Sequence, residues 1–244
     1  MRDKSIKYDE SLLPKLSKGE SYFAHKVIES AMTVFARDTR MGSIDSDLAS
    51  TSGLQAGVGA IDKYRALNVG VAAANMVLIG EGFAILGRNT WVSTFCPFFD
   101  WKLIRRIAVG HQERLEVIAN GGWLSEGHGL DLTLLATAAD FDTQANGATH
   151  MGNDDVMMMD QAACIKVINA SCPQQVLSIS KWIVTGNKGM VYLRILRAPA
   201  AVLYDQGFKF EFGKAYTLRM ASSPAATIVA TGRAVHEALA AAEI

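Results

Sequence analysis

The chain has 244 residues, half of them apolar and a fifth charged, enough to bury a substantial core in one or two domains. Its 24 basic and 24 acidic side chains cancel, which excludes a net field drawing the whole protein to nucleic acid or to an anionic membrane. Cys96, Cys164 and Cys172 form neither a C-x-x-C pair nor an even framework, so a disulfide scaffold and a structural zinc are disfavoured and a cytoplasmic setting is expected.

The opening stretch, Met1 to Lys18, is charged and lacks the apolar centre of a signal peptide. The longest apolar stretch, Val69 to Gly80, is shorter than the ~20 residues of a spanning helix, so a soluble protein is expected. Between Glu20 and Arg37, Phe23, Val27, Ile28, Ala31, Val34 and Phe35 recur at helical spacing. A short strand around Ile44 runs into Asp45-Ser-Asp-Leu-Ala-Ser-Thr-Ser-Gly53, small polar residues of the kind that follow a strand and line a site. Val71 to Leu86 reads as a buried helix, Trp91 to Phe95 as a strand, Trp101 to Leu115 as a helix and Leu132 to Thr137 as a strand. A helix is expected over Asp154 to Ile168, and Val191 to Leu196 is a β-branched, aromatic run suited to a central strand that closes the main domain. The alternation predicts an α/β domain with a mostly parallel sheet flanked by helices.

Past Arg197 the pattern becomes irregular, with Pro199 and Gly207, and predicts an interdomain linker over 198–212. Residues 213–244 then offer one strand, Thr227 to Ala230, and one helix, Ala234 to Glu243, too little to bury a core unaided.

Four strings, in register, give a family resemblance. Asn68-Val-Gly-Val-Ala-Ala-Ala-Asn-Met76, Val92-Ser-Thr-Phe95, Asn146-Gly-Ala-Thr-His150 and Val191-Tyr-Leu-Arg-Ile-Leu-Arg197 resemble the pyrimidine-binding domain of transketolases and their split-gene relatives. Gly213-Lys-Ala and Ala226-Thr-Ile-Val-Ala-Thr-Gly232 resemble the opening of that family's third, C-terminal α/β domain. The resemblance covers about Glu20 to Ile244. It implies thiamine diphosphate as cofactor, its diphosphate and a Mg2+ (or Ca2+) ion held by a separate N-terminal diphosphate-binding transketolase subunit, because no Gly-Asp-Gly followed by an Asn-rich metal motif occurs here. Family symmetry implies two copies of each chain.

By the same resemblance Phe95 and Phe98 form the wall on which the aminopyrimidine stacks, worth roughly 0.5–1.5 kcal/mol beyond burial. On spacing alone, two phenylalanines after a strand read more readily as core. Asp47, in the polar stretch after Ile44, is a further cofactor-side candidate. His150 aligns with a histidine that hydrogen-bonds donor and intermediate, suited to donating or accepting near neutral pH, although a lone histidine after Gly-Ala-Thr is otherwise a loop or cap residue. Arg197 aligns with an arginine that holds substrate phosphate by a planar fork, with Arg194 as its neighbour; otherwise it reads as a surface ion pair.

The departures are equally specific. Ala73 stands where the family's Asn-Val-Gly-Ile/Val-Ala-Glu string has the glutamate that activates the pyrimidine ring. Glu81, eight residues on and about 12 Å away along a helix, is too far to replace it. Ala138 replaces a substrate histidine, Asn146 an aspartate that reads a sugar hydroxyl, Ala145 a glutamate, and Tyr22 falls near a phosphate-binding arginine. Asn120 to His128 reads as an extra loop, either a lid or partner contact or a plain surface insertion. Two readings follow: a subunit of a heteromeric enzyme moving a two-carbon ketol or acyl unit from a keto donor to a non-standard acceptor, or a catalytically degenerate homologue that partners a thiamine enzyme. A different thiamine enzyme, such as a carboligase or dehydrogenase component, shares the architecture.

Overall fold

A computed structural model describes residues 3–120, 131–142, 146–162 and 164–243. The extra loop expected over Asn120 to His128 lies, from residue 121 on, outside the described residues, as does Ala145.

Six strands form one all-parallel sheet. They are β2 (Met41–Asp45), β3 (Ala66–Asn68), β4 (Asn89–Phe95), β5 (Leu132–Thr137), β6 (Ile165–Asn169) and β7 (Met190–Arg194), in the spatial order β3-β2-β4-β5-β7-β6. A two-residue ribbon, β1 (Ser21–Tyr22) against β8 (Ala200–Ala201), pairs antiparallel outside that sheet. The helices are α1 (Ala24–Phe35), α2 (Ala49–Ser52), α3 (Leu54–Gly59), α4 (Ala73–Ile85), α5 (Trp101–Ala119), α6 (Asp155–Asp160), α7 (Pro173–Val184) and α8 (Ala234–Ala241). Among the described residues, no helix is long and apolar enough to cross a membrane.

Strand side chains alternate between two cores, as a pleat of period two requires. Trp91, Leu135, Val191 and Leu193 face α1, α3 and α7, while Val92, Leu134, Met190 and Tyr192 face α4, α5 and α6. Both faces are covered, which is why the strands read as near-continuous apolar runs. On the first face α3 comes so near α1 that a side chain at Gly53, whose φ is +76°, would meet the His25 carbonyl oxygen; this contact seats the loop after β2.

The parallel α/β fold with helices on both faces is as expected. Three local expectations change. The helix anticipated over Asp154 to Ile168 ends at Asp160, and Ile165–Asn169 is instead the edge strand β6, paired residue for residue with β7 from Ile165↔Met190 to Asn169↔Arg194. Its β-branched Ile165, Val167 and Ile168 favour the ladder. Thr227 to Ala230 forms no strand; Ile228 and Val229 are exposed, because a single extended run has no described neighbour to complete a ladder. Helix α4 is only half buried: Met76, Val77, Gly80, Glu81 and Ala84 face the core, whereas Leu78 and Leu86 are exposed, and Val71 just before it is 91% exposed.

Candidate cofactor and substrate site

Every sequence-derived candidate lies at or just beyond the carboxyl ends of the strands except Tyr22, which belongs to the ribbon. In open parallel sheets this edge is where loops converge and ligands bind.

Phe95 closes β4 and is 3% exposed, while Phe98, one short turn on, is 36% exposed. Their rings are 5.9 Å apart and nearly parallel, at 20°. His150, in a single turn over Ala148–His150, sets its imidazole edgewise to both, 5.7 Å from Phe95 and 5.3 Å from Phe98. Thr149 Oγ1 lies 2.8 Å from His150 Nδ1 and can fix which ring nitrogen carries the proton. Three residues from segments more than fifty positions apart thus make one aromatic corner. Phe95 is core, as its spacing suggests, and Phe98 presents the open surface on which a flat ring can stack.

The loop bearing His150 is held by a buried polar lattice. Arg194, 2% exposed at the end of β7, donates from Nε to Asp155 at 2.8 Å and from Nη2 to Asp155 at 3.2 Å. It also donates from Nη1 to Asp140 at 3.0 Å and from Nη2 to the Gly152 carbonyl at 2.8 Å. The Tyr192 hydroxyl donates to Asp155 at 2.6 Å, and burial pushes that phenol well above its ordinary range. Burial also pushes the Cys96 thiol far up. The geometry commits Arg194 to internal bonds. Ala138 is fully buried with φ +62°, a conformation in which a larger side chain would be strained, and Asn146 is exposed.

Beside this corner, the loops after β2 and β3 are stitched together. Ser46 Oγ donates to the Gly70 carbonyl at 2.9 Å and accepts from the Ala72 amide at 3.1 Å. Asp47, exposed with φ +62°, donates its amide to Asn68 Oδ1 at 3.2 Å. Ala73 is the first residue of α4 and is part-exposed, with no carboxylate of its own to offer. Glu81 is turned toward α5, with Oε2 3.6 Å from Arg106 and Oε1 against Gly110. Asp45, buried at the end of β2, accepts from the Leu48 amide at 2.6 Å and from Ser52 Oγ at 3.2 Å. Burial nonetheless raises its pKa to about 6, outweighing those hydrogen bonds. Asp45 opens the polar stretch that the sequence sets after β2, and the signal for its burial is an acid ending an apolar strand.

Arg197 is part-exposed just past β7, near His25, whose imidazole is pushed down chiefly by burial and further by the Arg197 and Lys26 charges. His25 Nδ1 is buried and has no hydrogen-bond partner among the described residues. Tyr22 lines an apolar crevice with Ala24, Leu196 and Ala198, and its hydroxyl donates to Glu20 at 2.6 Å, so it supplies no cation there. Among the described residues no group of three or more His, Cys, Asp or Glu is placed to hold a metal ion.

The transketolase pyrimidine binding domain family matches residues 24–200. The chain belongs to that family. Among curated proteins it is similar to the 6-deoxy-6-sulfo-D-fructose transketolase subunit SqwH of a Clostridium species, 27% identical over 92% of this chain and 64% of that protein. It is also similar to a putative transketolase C-terminal section of Methanocaldococcus jannaschii, 28% identical over 74% of this chain and 52% of that one. The chain therefore spans between half and two thirds of the length of these relatives. Among solved structures, a split gene transketolase described as an inactive beta4 tetramer superposes with a TM-score of 0.67 at 21% identity, covering 92% of this chain and 67% of that chain. A transketolase from Campylobacter jejuni gives a TM-score of 0.66 at 14% identity over 88% of this chain and 32% of that chain. Family membership carries thiamine diphosphate as the family's cofactor.

Proposed function

We propose that this chain is the pyrimidine-binding subunit of a split transketolase-like transferase that moves a two-carbon ketol or acyl unit from a keto donor to a non-standard acceptor. The observation that carries the reading is the aromatic corner of Phe95, Phe98 and His150 at the carboxyl edge of the sheet. An open phenylalanine face suits an aminopyrimidine ring; Ala73 does not suit its usual carboxylate partner. The residues present therefore fit the ring's stacking and not its activation. When bound, thiamine diphosphate supplies a nucleophilic carbon and an electron sink.

Within that assignment each residue has a limited task. Phe98, with Phe95 packed behind it, binds and desolvates the ring, and Asp47 faces the cofactor from the neighbouring loop. His150 holds or moves a proton at the donor oxygen, its Nδ1 set by Thr149. Arg197 receives an anionic group, while Tyr22, Ala138 and Asn146 supply fewer charges and hydrogen bonds than a sugar phosphate would use. A diphosphate-binding partner subunit holds the Mg2+ (or Ca2+) and the diphosphate, with two copies of each chain; the lack of a Gly-Asp-Gly metal motif supports this. Residues 213–244 are read as the start of a further domain, and the cysteine pattern supports a cytoplasmic location.

The replacement at Ala73 favours a second reading, a catalytically degenerate homologue that serves as structural or regulatory partner of a thiamine enzyme. One experiment separates the two: calorimetric titration of thiamine diphosphate with magnesium into this chain, alone and with its co-purifying partner. Binding only in the mixture supports the shared site; no heat in either case removes the enzyme reading.

A further inference from the structure

We infer that the segment Thr231 to Ala241 is a strap that positions the His150 loop, and that Asp140 is the residue through which it acts. Asp140 lies at the start of that loop and uses its carboxylate in two directions. Oδ1 accepts from Arg194 Nη1 at 3.0 Å, and Oδ2 accepts from the Arg233 backbone amide at 3.3 Å. Its own backbone N–H donates to the Gly152 carbonyl at 3.1 Å, the same oxygen that receives Arg194 Nη2. Gly152 is two residues past His150 and so closely seated that a Cβ there would lie 2.4 Å from Cys96 Cβ, next to Phe95. The path from strap to imidazole is thus Arg233 amide, Asp140, Gly152, His150.

Two polar contacts and one buried side chain dock the strap on the domain, besides the bond to Asp140. Asn169 Nδ2 donates to Thr231 Oγ1 at 3.2 Å, His236 Nε2 lies 2.8 Å from the Ser171 carbonyl oxygen, and Val235 is 7% exposed. At Gly232, with φ +56°, a Cβ would fall 2.4 Å from Asn169 Nδ2 and 2.6 Å from Asp140 Oδ2, so glycine is what allows the amide of Arg233 to reach the carboxylate. A segment outside the sheet is thereby tied to the one loop whose histidine faces the aromatic pair. The inference rests on the proposed role of His150 only for its bearing on catalysis; the mechanical link stands on these contacts.

The test uses the full chain without cofactor, so its result is independent of the thiamine titration. Arg233→Pro removes the donor amide at a residue whose φ of −59° already suits proline. Arg233→Ala keeps the amide and loses only the side chain, so it is the control. Hydrogen exchange is read at His150 and Met151, whose amides bond to Gly147 and Ala148, with Trp91 to Phe95 of β4 as reference. R233P should exchange about fivefold faster at His150 and Met151, the effect of losing one modest hydrogen bond, with β4 unchanged and R233A like wild type. The His150 ring-proton resonance, displaced by the currents of Phe95 and Phe98, should move in R233P and stay in R233A. If R233P does not fold, Asp140→Asn decides in the same way, since asparagine tolerates the φ of +58°. Identical exchange and resonance in R233P and R233A, or an unchanged loop in D140N, overturns the inference.

Discussion

The two ends of the sheet's carboxyl edge are built differently. On the β5–β7 side, Arg194, Asp155, Tyr192 and Asp140 satisfy one another, and the His150 loop is fixed from within the chain. On the β2–β3 side, the acid Asp45 is buried with no ion pair among the described residues, Ala73 offers no polar group, and Val71 and Leu78 leave apolar surface in water. The first corner is finished by the chain itself. The second leaves a buried acid and exposed apolar side chains beside the loops that carry Asp47 and Ala73.

The largest effect expected from breaking this contrast is at Arg194. Arg194→Ala leaves Asp155 in the core with the Tyr192 hydroxyl and without its cation, and should cost about 3–5 kcal/mol in urea unfolding. A loss below about 1 kcal/mol would mean that the lattice is dispensable and that the two corners are alike. Next is Asp45. Its pKa of about 6 in the folded chain exceeds the ordinary 3.8, so the folded state binds more protons between those values. Stability therefore falls as pH rises from about 4 to about 6 and is flat above, for a total near 3 kcal/mol. Asp45→Asn should recover most of that at pH 7.5 and almost none at pH 4, in thermal unfolding at the two pH values; equal gains at both would remove burial of charge as the cause.

Smaller effects test function directly. Phe98→Ala, at a part-exposed ring, should leave stability nearly unchanged and weaken thiamine diphosphate binding in the partnered protein by about fivefold, near 1 kcal/mol. Unaltered affinity would take Phe98 out of the cofactor wall. A small gain in stability is expected for Ala73→Glu, where a carboxylate in the first turn of α4 should contribute about a few tenths of a kcal/mol through the helix dipole. In the assembled protein the same variant should exchange the thiazolium proton of bound cofactor faster than wild type; no change would point to a site already rebuilt around alanine.

Much of the fold was legible because both cores write themselves into the strands and into α1 at their native periods. Helix α7 was not, although Pro173 marks its start, because Gln174, Ser178 and Ser180 are buried polar residues that blur its apolar stripe. Strand β6 was hidden by the preceding methionine-rich helix, and only its pairing with β7 decides its state. At the site, the motif residues could be placed from the string patterns, but their meeting could not. Phe98 and His150 approach only when β4 and the loop after β5 lie side by side. The lattice was less visible still, since Asp140, Asp155 and Arg194 come from separate segments and each alone reads as an ordinary surface charge.

The small ribbon of β1 and β8 has a consequence for gene architecture. Tyr22 pairs with Ala200, and the family's matched stretch, residues 24–200, lies within that clasp. The two ends of that stretch thus meet at one place, with Ile6, Leu13 and Leu16 of the preceding segment packed into the first core. A cassette of this shape can be fused behind another coding sequence, or separated from it, without rethreading any strand of the sheet.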